Sequence, residues 1–221
     1  MKKIVSMLLS VVMLCSVTAG LNLTAYAAET GDWSDTIKYS YDEDTCELTL
    51  SGQGVLTYSD SFRENFSEKD VRSVVIQEGI TSISNGVFAC EDDSFYGDLQ
   101  SVTLPKGLLS IGNYAFSYCT SLSSIIIPNS VTTIGDYAFD WCWLDEITLS
   151  DGLVTIGEGA FEGCSLTKVN IPKTVKKIGD NAFSGDFLSV VITQDNVEIG
   201  DDAFGSDTVV FCPSTTKINN Q

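Results

Sequence analysis

Six near-copies of one hexapeptide constrain this chain more than any other feature. Ile-Gly-x-x-Ala-Phe occurs at residues 111–116, 134–139, 156–161, 178–183 and 199–204. A degenerate copy at 83–88 has Ser84 for the glycine and Val87 for the alanine. The repeat phenylalanines are Phe88, Phe116, Phe139, Phe161, Phe183 and Phe204, spaced 28, 23, 22, 22 and 21 residues apart. A unit of this size cannot bury an apolar face by itself. Identical units stacked on one another bury a continuous column, so the period predicts a solenoid.

A second motif precedes the first. Leu-x-x-Val/Ile-x-Leu/Ile-Pro occupies residues 99–105, 122–128 and 166–172, and 144–150 is a copy without the proline. Residues 71–76 and 187–192 are looser copies. Its period of two predicts a short strand with one buried face. Pro105, Pro128 and Pro172 follow the strand, where no ladder donor is needed. A second apolar pair, such as Val131 and Ile134, then turns inward. Gly112, Gly135, Gly157, Gly179 and Gly200 are expected at a bend with positive φ. Asn113, Asp136, Asp180 and Asp201 come next and are expected to N-cap a short helical turn, with Glu158 favouring the same positive end. Alanine and phenylalanine then point into the core. The expected fold class is an α/β repeat solenoid, rich in strands and with short helical turns.

The run from Ile127 to Phe139, Ile-Pro-x-Ser-Val-Thr-x-Ile-Gly-x-x-Ala-Phe, resembles the BspA-type bacterial leucine-rich repeat. The resemblance covers residues 71–213. It implies a curved, right-handed leucine-rich-repeat coil, and it transfers no catalytic residue. Proteins of this kind are typically secreted or surface-attached, and several are implicated in adhesion to host matrix proteins or other cells. The alternation over 37–54 reads as a β-hairpin around the polar turn at 41–45 and resembles the N-terminal cap of such proteins. The resulting layout is a leader at 1–27, a β cap at 28–70, six repeats plus a closing strand at 71–213, and a tail at 214–221.

The leader follows from its order. Lys2 and Lys3 precede an apolar run over 4–14, and Ala25-Tyr26-Ala27 offers an A-x-A cleavage site. The run is shorter than the roughly 20 residues a membrane span needs. The expected location is therefore extracellular, free or associated with a cell surface.

Composition narrows the function. The chain has no histidine, which excludes a Ser-His-Asp triad, a Cys-His dyad and an HExxH zinc site. Its net charge of −18 argues against binding nucleic acid or anionic membrane surfaces. Acids are densest at 42–44 and at 91–93 with Asp98, in no calcium-loop pattern, and they read as solvated turns. With 30 acids, some pair always lies at a glycosidase distance, so a hydrolase is a weak alternative. No metal and no cofactor is called for. Cys119, Cys142 and Cys164 lie three residues after their repeat Phe and Cys90 two after its own. They form either a ladder of buried thiols or disulfides between neighbouring units.

The candidate binding residues are aromatic. Tyr114 and Tyr137 share one repeat slot, Tyr118 and Trp141 another, and Trp143 sits two further on. Gly159, Asn181, Gly163, Gly185 and Ser165 fill the same slots later, so the core needs no ring there. The rings either pack locally beneath the five-residue insert that carries Phe95 and Tyr96, or form an exposed patch of the kind that marks binding sites. The outward strand positions, from Gln100 to Asn170, are mostly small and polar and offer a second surface. The expected function is non-enzymatic recognition of an extracellular protein or polysaccharide. A structural or self-assembling matrix role is the alternative. The sequence leaves the oligomeric state open.

Overall fold

The computed structural model describes residues 28–60, 69–90, 98–192, 196–211 and 217–218. The leader and the insert with Phe95 and Tyr96 lie outside these residues. The chain coils around the phenylalanine column, and each coil meets the next along three lines.

The first line is the strand motif. It gives β5 (Ser73–Ile76), β7 (Ser101–Thr103), β9 (Ser124–Ile126), β11 (Glu146–Thr148), β14 (Val190–Ile192) and β16 (Val209–Phe211). Neighbours pair in parallel, Val74 with Val102 and Ile125 with Ile147. The second line is the residue pair that ends in the repeat isoleucine. It gives β4 (Gly54–Leu56), β6 (Ile80–Ile83), β8 (Ser110–Ile111), β10 (Thr133–Ile134), β12 (Thr155–Ile156), β13 (Lys177–Ile178), β15 (Glu198–Ile199) and β17 (Lys217–Ile218). These eight form one parallel sheet in chain order. Because β17 pairs with β15, the repeat continues into the segment expected to be a tail.

The third line overturns the expected helical turns. The arc after each repeat isoleucine sends its donors to the next coil. Tyr114, Phe116 and Tyr118 donate N–H bonds to the carbonyls of Asp136, Ala138 and Asp140 at 2.8–2.9 Å. Tyr137, Phe139 and Trp141 repeat the pattern on Glu158, Ala160 and Glu162. A helix would need those N–H groups for its own chain. Spent on the neighbour, they leave turns, and the described residues of the repeats contain no helix. The fold is a strand-rich solenoid, not an α/β one.

Two residue roles change with it. Gly112, Gly135, Gly157, Gly179 and Gly200 do not have positive φ. They are required because coils approach too closely for a side chain. A Cβ on Gly135 would sit 2.7 Å from the backbone of Gly112 and Asn113. The acids after them do not cap helices either. The Oδ1 atom of Asn85 accepts the N–H of Asn113, that of Asn113 the N–H of Asp136, and that of Asp136 the N–H of Glu158, each at 3.0 Å. Asp180 does the same for Asp201 at 2.8 Å. A short Asx side chain thus bridges to the following coil. Glu158 instead accepts the hydroxyl of Tyr137.

The core is the phenylalanine column. Its six rings are buried and stacked with centroids 5.1–5.5 Å apart and planes within 16°. The N-terminal segment closes one end. β1 (Glu29–Asp32), β2 (Ile37–Asp42) and β3 (Glu47–Gly52) are antiparallel, and β3 pairs in parallel with β5. Trp33 lies 6.2 Å from Phe88 and donates its indole N–H to the Thr57 carbonyl. Lys69 ties the cap together through Glu29 at 2.9 Å and Glu43 at 2.7 Å. The first acidic group is therefore partly structural: Asp42 also accepts the N–H groups of Asp44 and Thr45 in the turn.

Candidate functional site

The arc that replaces the helical turn also creates the candidate site. Two of its positions are left-handed in coil after coil. The first is Gly86, Tyr114, Tyr137, Gly159, Asn181 and Asp202, with φ from 49° to 66°. The second is Tyr118, Trp141, Gly163 and Gly185, with φ from 51° to 81°. Glycine takes this conformation freely, and Asn or Asp with little strain. A bulky side chain there is strained, at about 1–3 kcal/mol per residue. Four of the five predicted site residues occupy these positions.

The fifth, Trp143, follows in the same arc two residues after Trp141, and the structure pairs the other four in two columns. Tyr114 stacks on Tyr137 at 5.2 Å and 9°, and Tyr118 on Trp141 at 6.3 Å and 10°. Each column ends on a glycine of the next coil. A Cβ on Gly159 would run into the Tyr137 ring, and one on Gly163 would lie 3.2 Å from Trp141. Tyr114, Tyr118, Trp141 and Trp143 are 41%, 44%, 50% and 61% exposed, while Tyr137 is half-buried. The Tyr137 hydroxyl is pushed above its usual range by its bond to the Glu158 carboxylate, by burial, and by the nearby charges of Glu158 and Glu162.

Sequence reasoning missed Phe187. It is 69% exposed and holds the Trp143 slot, four residues after the repeat Phe. Following that slot one coil past Ser165 would have found it. Phe187 and Asp186 line a cleft of about 850 Å³ with Asp202 and Asp207, on the same arc nearer the C-terminus. The strand face is exposed at its outward positions and carries large apolar side chains at Ile126, at 72%, and at Val209 and Phe211 on β16.

Beneath the rings runs the cysteine column. Cys90, Cys119, Cys142 and Cys164 are buried free thiols. Cys119, Cys142 and Cys164 donate to the carbonyls of Phe88, Phe116 and Phe139 at 3.0–3.3 Å. Burial pushes the Cys119 and Cys164 thiols well above their usual range, which keeps them protonated and un-nucleophilic. Asp186 takes the next place in this column. Burial raises its carboxyl to about 8, against the opposing Leu166 N–H bond, and its Oδ2 is buried without a partner. Among the described residues no group of three or more His, Cys, Asp or Glu is placed to hold a metal ion. No described helix is long and apolar enough to cross a membrane.

Known proteins fit this geometry. The chain is similar to a leucine-rich repeat protein from Eubacterium ventriosum, with 22% identity, a TM-score of 0.50, and coverage of 80% of this chain but only 41% of the other. It is similar to a leucine rich repeat protein from T. pallidum, with 24% identity, a TM-score of 0.50, and coverage of 81% and 84%. At these identities the likeness speaks for the fold. A search of curated proteins finds no match. The model of the BspA type leucine rich repeat region matches in six copies, over residues 61–185 and 90–211. Those matches span most of the chain, and the chain belongs to the family of BspA type leucine-rich-repeat proteins.

Proposed function

We propose that this protein is a non-enzymatic binding module, secreted or held at a cell surface, and that it recognises an extracellular partner through Tyr114, Tyr118, Tyr137, Trp141 and Trp143, with Phe187 extending the patch. One observation carries the reading. Four of these rings occupy left-handed positions where other coils place glycine, Asn or Asp. Smaller residues complete the same arcs in the following coils, so the fold does not require rings there. Backbone strain kept at exposed aromatic residues fits a surface maintained for contact.

The test is retention on immobilised extracellular-matrix proteins, mucin and polysaccharides. The chain is compared with Trp141→Gly/Trp143→Ser, which installs the residues that the next coil holds. The expected result is retention by one ligand class, lost in a variant with unchanged circular dichroism and Tm. Retention that survives the substitutions would move the site to the strand face or the cap.

A further inference from the structure

The charge around the rings says what kind of partner the patch fits. The six arcs, residues 84–90, 112–119, 135–143, 157–165, 179–187 and 200–207, contain nine Asp or Glu and no Lys or Arg. The cation-free stretch is longer still, since no Lys or Arg occurs between Lys106 and Lys168. Glu158 and Glu162 stand beside Tyr137, and Asp136 lies next to it in the chain. Further along the same face, Asp202 and Asp207 line the cleft that includes Phe187. Asp186, held neutral by burial, adds little charge there.

The rings narrow the choice further. Trp141 lies between Tyr118 in the preceding coil and Gly163 in the following one. Tyr137 lies in the same way between Tyr114 and Gly159. Their faces are taken by neighbours in the stack. A sugar ring binds aromatics through an open face, which these two central rings do not offer, and an acidic sugar would also meet repulsion from the carboxylates. The hydrocarbon stem of a lysine or arginine needs only apolar flank, and it delivers its charge to the surrounding acids.

We propose, building on the binding role above, that the patch takes a cationic polypeptide segment. Lys or Arg stems lie along Tyr118, Trp141 and Trp143, and their charged heads meet Glu158, Glu162 and neighbouring carboxylates.

Fluorescent nonapeptides of arginine, lysine and glutamate, and a neutral glucan, serve as probes against the full chain at physiological salt. An acidic protein attracts any polycation, so the deciding comparison keeps charge constant. Trp141→Gly/Trp143→Ser is expected to weaken binding of the cationic peptides about tenfold or more, with the glutamate peptide and the glucan unbound. Glu158→Gln/Glu162→Gln, which leaves the rings in place, is expected to weaken it and flatten its salt dependence. Equal peptide affinity in the ring variant would overturn the proposal, because charge alone would then explain the binding. Glucan binding lost in the ring variant, without peptide binding, would overturn the cationic partner and leave the patch as the site. No ring-dependent binding of any probe here, nor of any ligand in the retention screen, would overturn both.

Discussion

The coils of residues 111–143 and those of residues 156–207 share one backbone and wear different side chains. Both arcs pass through left-handed positions, both donate alternate N–H groups to the following coil, and both stack a phenylalanine on its neighbour. The first set fills its left-handed positions with Tyr114, Tyr118, Tyr137 and Trp141. The second fills them with Gly159, Gly163, Asn181, Gly185 and Asp202. The second set shows what the fold requires. The excess in the first set is what function is free to use.

If the core is indifferent to what coats it, Phe139→Ala under the rings and Phe183→Ala under the plain arcs should cost alike. The expected loss is about 3–5 kcal/mol each, read from urea unfolding. A cost confined to Phe139 would mean that the rings brace the core, and the comparison would break. The glycines sharpen it next. Gly135→Ala and Gly179→Ala both drive a methyl into the backbone of the preceding coil, at an expected 1–3 kcal/mol or so in either region.

The third expectation separates the regions by pH. The cysteine column runs through the aromatic coils into the first plain one, at Cys164, and gives way to Asp186 in the next. An ordinary aspartate has a pKa near 3.8 and this one is raised to about 8, so between those values the folded state holds a proton that the unfolded chain has released. Stability from this group is therefore full below about pH 4 and drains away as pH rises towards 8. Asp186→Asn should flatten that part of the stability–pH curve. A curve unchanged by the substitution would show that Asp186 is solvated after all. The smallest effect belongs to Trp141→Gly. Relief of left-handed strain, about 1–3 kcal/mol, is offset by loss of the ring pair with Tyr118, about 0.5–1.5 kcal/mol, and of the cover on Gly163. The Tm should barely move.

The sequence made the periodic features legible and obscured those that depend on the neighbouring coil. The phenylalanine column, the strand motif and the N-terminal hairpin follow from spacing and alternation, which are local. The aromatic slots were visible because each could be compared with its later copies, and Phe187 was missed where that comparison stopped too soon. The glycine before Asn113 or Asp136 was expected to serve its own bend, yet it serves the backbone of another coil. The expected helical turn failed for the same reason, since the hydrogen-bond partner that prevents it lies 22 residues away. Ile218 is followed by Asn219 where the motif has glycine, and Lys217–Ile218 is recognised by its backbone pairing with β15.

The directional arc of hydrogen bonds, each coil donating to the one after it, also sets how such a chain yields to force. Among the described residues the hydrogen bonds of the arcs each join neighbouring coils, so load applied along the axis falls on one seam at a time. Pulled from its ends, the stack should part in steps. Each 22-residue coil would release roughly 75 Å of contour length, leaving the remaining coils still wound.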